Sequence, residues 1–496
     1  MKKLKWIGLL LCLTMLITAL AGCGSSKTAQ VTEEDPNTVP EDTYEINWYT
    51  MGAAMGEVAE VEAAINDYIK DKINATIKIT RMESGQYQQQ MNTMMATGEY
   101  FDCCFAANWV LDYAANAKNG GFLALDEYLD KYMPKTKALM AEDIWDNVRV
   151  DGKIYGVPAN KEFAEQRGWA YQTEIAEKYN LDMSQYKTFE DLIPMLKMIK
   201  ENEPELTYPI DWGTDRTPGS LEAGFRVCSG LKLFDDESKY GKKVVQSIET
   251  EEFMENCRTA HRFYQEGLIK PDILTATDFS QRLKDGKTFV YMEFLKPGKA
   301  KEICQKFNFE LDQVPVTEII QLNGAGGGSM MAISRTSKNP ARVARFLELV
   351  NTDKYLNNLM NFGIEGKHYT KISDDMIKIT PNAGYTLSGE TWMTGNVFLN
   401  YLVEGEDENK LKDLAEFNKE AIKPWYYGFV FDPIPVEQDI AAISNVMEEY
   451  NKQMILGAVD PDTLIDDYRA KMKTAGIDKV QEEAQRQLDE FLASEK

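Results

Sequence analysis

The period of apolar and polar positions changes several times along the chain, and each change marks an element. Trp6 to about Leu20 is an apolar run behind Lys2, Lys3 and Lys5. Residues 24–43 are polar, with Ser, Thr, Pro and acids and no apolar period, which predicts a disordered tether. From Tyr44 to Thr50 apolar and polar residues alternate, as in a strand. Val58, Val61, Ala64, Ile65, Tyr68 and Ile69 then follow at helical spacing. Thr76–Met82 alternates again, Tyr87–Met95 reads as a helix, and Phe101–Ala106 as a third, buried strand. Strands alternating with helices predict an α/β fold with a parallel, doubly wound sheet.

Further on, Leu123–Tyr132 opens an amphipathic helix. Asp151-Gly152 predicts a turn into an extended Ile-Tyr-Gly-Val-Pro. Proline cannot donate to a ladder, so Pro158 predicts a strand exit, a natural place to cross between lobes. Thr188 is placed to cap a helix. Gly324–Gly328 predicts a bend into a strand, and Asn339-Pro340 a capped helix start. Ile440 to Phe491 reads as mostly helical, and no internal repeat is present.

The length of 496 residues exceeds what one core usually supports, so two lobes are expected. There are 55 Lys+Arg against 79 Asp+Glu, a net charge of −24. That balance argues against nucleic-acid binding and against docking on anionic lipid through a basic face. His261 and His368 lie far apart, which excludes an HExxH zinc site and a three-His centre. No metal or cofactor is predicted.

Residues 1–22 combine a basic start, an apolar core and a small-residue exit, the pattern of a secretory signal peptide. Their removal leaves a chain of net charge −27, which anionic lipid would repel. The five cysteines past Cys23, an odd number at irregular spacing, do not form a disulfide framework. Cys103-Cys104 sit in an apolar run and read as small buried hydrophobes. The 23 methionines suggest an adaptable surface, but Met91, Met94 and Met95 at helical spacing and Met330-Met331 in a strand read as core.

Four stretches carry a resemblance. Leu20-Ala21-Gly22-Cys23 looks like a bacterial lipobox. The others are Asp151–Pro158, Ala332–Leu347, and Gly363–Tyr369 taken with Gly428–Pro433. Together they resemble lipid-anchored solute-binding proteins of ABC importers, extracellular family 1, in a Gram-positive subgroup with a C-terminal domain of unknown function. The resemblance implies a type II periplasmic-binding-protein-like fold with a ligand cleft between two lobes. Lobe one is placed at 44–158 plus 325–370, and lobe two at 159–324 plus 371–496. It also implies a diacylglycerol on Cys23, residence on the outer face of the cell membrane, a monomer, and hinge closure on a carbohydrate that is handed to a membrane permease.

A sugar offers an apolar C–H face and a rim of hydroxyls, which aromatic rings and polar side chains recognise. Trp109, Trp169, Trp212 and Trp392 fall where cleft loops are expected, and at least two of them should face the cleft. Asp211, Arg216 and Glu390 are polar candidates by adjacency, while Trp145 reads as structural. Glu365 and His368 either touch ligand or brace the hinge. A secreted glycoside hydrolase needs two carboxylates roughly 5–9.5 Å apart across a cleft, which 79 acids leave open. No P-loop, GxGxxG or GxSxG element is complete. A peptide receptor on the same scaffold is the third reading.

Overall fold

The structure, a computed structural model, describes residues 33–494 except 277, 278, 305, 306 and 308. The signal segment and Cys23 lie outside the described residues. Among those described, no helix is long and apolar enough to cross a membrane.

The chain runs β1 (Tyr44–Met51), α1 (Val58–Ile73), β2 (Ala75–Met82), α2 (Ser84–Thr97), β3 (Cys103–Ala106) and β4 (Gly156–Pro158). It crosses to β5 (Ala164–Gln172), α3 (Phe189–Asn202), α4 (Glu251–Gln265), β6 (Val290–Leu295) and β7 (Leu311–Pro315). It returns through β8 (Met330–Ile333), α5 (Pro340–Thr352) and α6 (Lys354–Phe362), and ends in α7 (Glu437–Ile455), α8 (Ile465–Thr474) and α9 (Ile477–Ser494).

The first sheet has the order β2-β1-β3-β8-β4. β1 pairs in parallel with β2 and β3, as the βαβ pattern predicts. β8 is antiparallel to both β3 and β4, so the sheet is not wholly parallel. The reason is topological: β8 enters from the other lobe, not by a crossover helix. The second sheet sets β5 between antiparallel β6 and β7.

Local signals act where expected. Asp151 and Gly152 both have positive φ (49° and 78°) and close a hairpin. Thr188 and Asp191 form a reciprocal capping box, and the Asn339 side chain caps α5 with Pro340 behind it. Met91, Met94, Met330 and Met331 are buried, as are the free thiols of Cys103 and Cys104.

Three main cores form. One spans Ile46 to Phe163 and Ala325 to Met393; a second surrounds Trp169, Phe189, Trp212 and Phe263; a third packs Leu231 and Leu233 under α7–α9. Two sequence expectations change. The segment from 371 to 403, assigned to lobe two, packs Tyr385 and Met393 into the first core, and the Tyr385 hydroxyl donates to Met360 O at 2.6 Å. The tether also ends sooner than residue 43. Glu34 is fixed by Arg342 Nη2 at 2.7 Å and Arg345 Nη1 at 3.3 Å, because two buried cations need a carboxylate.

Candidate functional site

The carboxyl ends of β1, β2 and β3 lie on one edge of the first sheet, where ligands of open α/β sheets collect. Arg81, near the end of β2, sends Nε to Ala53 O (3.0 Å) and Nη2 to Glu390 Oε2 (3.0 Å). Its side chain is only 4% exposed. Gly52 has φ +136°, and a Cβ there would lie 1.9 Å from Arg81 Nη2, so glycine is required for the guanidinium to lie across the loop.

Trp109 follows β3 and is 52% exposed, an unusual state for so large an apolar ring. Its indole N–H donates to Gly328 O at 2.8 Å, which fixes the ring without covering it. The Trp392 ring lies 5.9 Å away, and Phe105 lies 6.1 Å from Trp109 and 6.2 Å from Trp392. Ser329 Oγ donates to Trp392 O at 2.8 Å. The result is an aromatic platform rimmed by the Arg81–Glu390 pair. Such a surface can stack on an apolar ring face and hydrogen-bond its substituents.

The second lobe offers a wall at the hinge end of its sheet. Arg216 pairs with Asp215 and, at 3.0 Å, with Glu293 Oε1. Its guanidinium lies 5.2 Å from the Phe279 ring centre and 5.4 Å from that of Phe294. Burial opposes the Arg216 charge, but Glu293 and Asp215 raise its pKa above the ordinary value. Arg167 sits 5.8 Å from the other side of this aromatic group, over Phe294.

Three predicted residues are misplaced. Trp169 is fully buried in the middle of the second sheet; its Nε1–H donates to Tyr186 O (2.7 Å), and Phe189 on α3 packs edge-on at 4.9 Å. Trp212 is equally buried, against Phe189 and Phe263. Asp211 is 1% exposed and grips Arg282 through both oxygens (2.8 and 3.1 Å), a brace within lobe two. Trp109, Trp392 and Glu390 lie together at the strand ends of lobe one, and Arg216 lies beside Glu293 in lobe two. Trp145 is core, with its N–H on Lys137 O.

The Gly363–Tyr369 motif is a brace by geometry. His368 is fully buried; its Nδ1 accepts from Ile364 N–H (2.8 Å), so Nε2 carries the proton toward Glu57 Oε2 (3.0 Å). Glu365 instead pairs with Lys371 at 3.4 Å on the surface. Sequence reading missed Arg81, Arg167, Glu293 and Phe294. Only Arg81 had a signal, a cation closing an alternating strand. Among the described residues no cluster of side chains is arranged to hold a metal ion.

Near the crossings lies a charged group. Lys296 reaches Glu162 (3.2 Å) and Glu302 (3.3 Å), and Lys410 reaches Glu302 (3.0 Å) and Glu406 (2.8 Å). Burial opposes the charge on Glu162, yet Lys161 and Lys296 hold its pKa down at about 2.

Two α/β lobes joined by crossing segments, with a fixed aromatic platform at the strand ends of one, define a two-lobed binding protein. The chain belongs to the bacterial extracellular solute-binding protein family, whose model matches residues 63–365. A domain of unknown function, DUF3502, matches residues 425–493. A carbohydrate ABC transporter substrate-binding protein of Streptococcus pneumoniae serotype 4 is 31% identical over 493 residues, covering 97% of each chain. Lipoprotein LipO of Bacillus subtilis is 25% identical over 321 residues, covering 59% of this chain and 61% of its own. The N-glycan transport solute-binding protein NgtS of S. pneumoniae superposes with a TM-score of 0.83 at 28% identity, over 92% of this chain and all of that one. The scores are 0.78 for the structure of NgtS with Man1GlcNAc and 0.74 for that with Man5GlcNAc.

Proposed function

We propose that this protein captures an oligosaccharide between its two lobes and hands it to an ABC permease, without chemistry on the ligand. The observation that carries the reading is Trp109, half-exposed yet held by Gly328 and flanked by Trp392. An exposed ring held in place by its own N–H and set beside a second tryptophan offers a preformed face to a sugar ring. The relatives support a saccharide ligand, and the NgtS complexes name saccharides to try first.

Trp109, Trp392 and Glu390, braced by the buried Arg81, form one wall, with Arg216 and its aromatic neighbours the other. The ligand binds the closed form better, and that difference in affinity drives closure. The signal segment is removed, and Cys23 carries lipid that holds the protein as a monomer on the outer face of the membrane. Lobe one comprises about 33–158 and 325–403, and lobe two the remainder.

The test is titration of the protein lacking residues 1–22 with Man1GlcNAc and Man5GlcNAc, followed by Trp fluorescence and melting temperature. A ligand that binds only the native state raises that temperature. Trp109→Ala should weaken binding at least ~10-fold, since burying one large apolar side chain contributes about 1.5–3 kcal/mol. Absence of any saccharide binding, or release of shorter sugars during incubation, would sink the proposal.

A further inference from the structure

A cavity of about 400 Å³ adjoins the lobe-two wall. Arg167, Asp215 and Phe294 line it from that wall, and Asn256 from α4. The remaining side comes from the C-terminal helical domain: Met447, Asn451 and Ile455 of α7 and Tyr468 of α8. Its volume falls in the range of roughly 300–1,000 Å³ typical of small-molecule sites.

Two lining groups point to a ligand. Tyr468 is completely buried, and its hydroxyl has no hydrogen-bond partner among the described residues. Glu222 also lines the cavity; one carboxylate oxygen takes Lys232 Nζ at 2.7 Å, while the other is buried and unpartnered among those residues. Buried polar atoms are nearly always paired, so two unpaired acceptors in residues that line one cavity leave its lining short of donors. Of the three cations on the lining, Arg167 is paired with Glu165 at 2.7 Å and Lys232 with Glu222, while Arg226 is exposed to solvent, so no buried cation awaits an anionic guest. A carboxylate oxygen, a phenol, two amides and apolar side chains together suit a neutral, hydroxyl-rich ring.

We propose that this cavity is a second subsite, holding one sugar unit of an oligosaccharide whose other units stack on Trp109. The C-terminal domain of unknown function then supplies the far side of that subsite and so selects for ligand length. The inference rests on the carbohydrate reading above.

The experiment compares the longer and shorter saccharides of that titration on the wild type, Asn256→Phe and Tyr468→Phe. Asn256→Phe puts an aromatic ring into the cavity and should lose at least ~10-fold in affinity for the longer saccharide while leaving the shorter unchanged. Tyr468→Phe removes one unpartnered oxygen, keeps the ring, and should lose a few-fold for the longer alone. If Asn256→Phe does not fold, Tyr468→Phe decides by itself. Equal binding by variants and wild type, or equal losses for both saccharides, would overturn the subsite. Wild type that binds neither saccharide would overturn the carbohydrate reading, and the subsite with it.

Discussion

Glu34 carries more weight than its position near a polar, Pro-containing stretch suggests. Arg342 is fully buried and donates to Glu34 from Nε and Nη2, while Asn339 Nδ2 donates to the same carboxylate. Burial works against the Glu34 charge, but hydrogen bonds from Arg342 and Asn339 keep its pKa below the ordinary value. Without Glu34, the buried Arg342 keeps only the Asp42 carboxylate at 3.6 Å and the carbonyls of Asp42 and Asn74. Glu34→Ala should therefore lower stability by roughly 3–5 kcal/mol in denaturant unfolding. A loss under ~1 kcal/mol would mean that residues 34–42 lift away and let water solvate Arg342.

Among the elements, α3 shows how local and tertiary causes divide. Its start is written in Thr188 and Asp191, whose side chains satisfy each other's backbone N–H groups. Its packing is not local: Phe189 on α3 meets Trp169 from a strand and Trp212 from a loop. Thr188→Ala should cost about 1 kcal/mol of stability, seen as a lower denaturation midpoint, with saccharide affinity unchanged. A change in affinity would tie α3 to the lobe-two wall.

At the scale of the molecule, the crossings share one ionic group. Glu162 lies between β4 and β5, Lys296 follows β6, and Lys410 follows the long return from lobe one. The Glu162 carboxyl has a folded-state pKa of about 2, below its ordinary 4.5. A depressed pKa means this group's stabilisation is complete above about 4.5 and is lost as pH falls toward about 2. Glu162→Gln should therefore flatten the fall in melting temperature over that window. An unchanged acid limb in the variant would remove Glu162 from the cause.

The sequence by itself determined the elements that short-range physics fixes. The alternation in Tyr44–Thr50, the helical spacing of Val58–Ile69, the Asp151-Gly152 turn and the Thr188 and Asn339 caps depend only on neighbours a few residues away. It also determined the family through motifs spread over the chain. Tertiary structure alone decided which tryptophans were free. Trp169 follows Arg167-Gly168 and Trp109 follows Ala107-Asn108, but Trp169 lies in the central strand of its sheet under α3, while Trp109 leaves the end of its strand uncovered. It decided the partners of Arg81 and Arg216, since Glu390 is 309 residues from the one and Glu293 is 77 from the other. It also decided that the C-terminal helices close a cavity against the sheet side of lobe two. No period in the chain encodes such contacts, because they depend on how separate faces meet once each has buried its own apolar side.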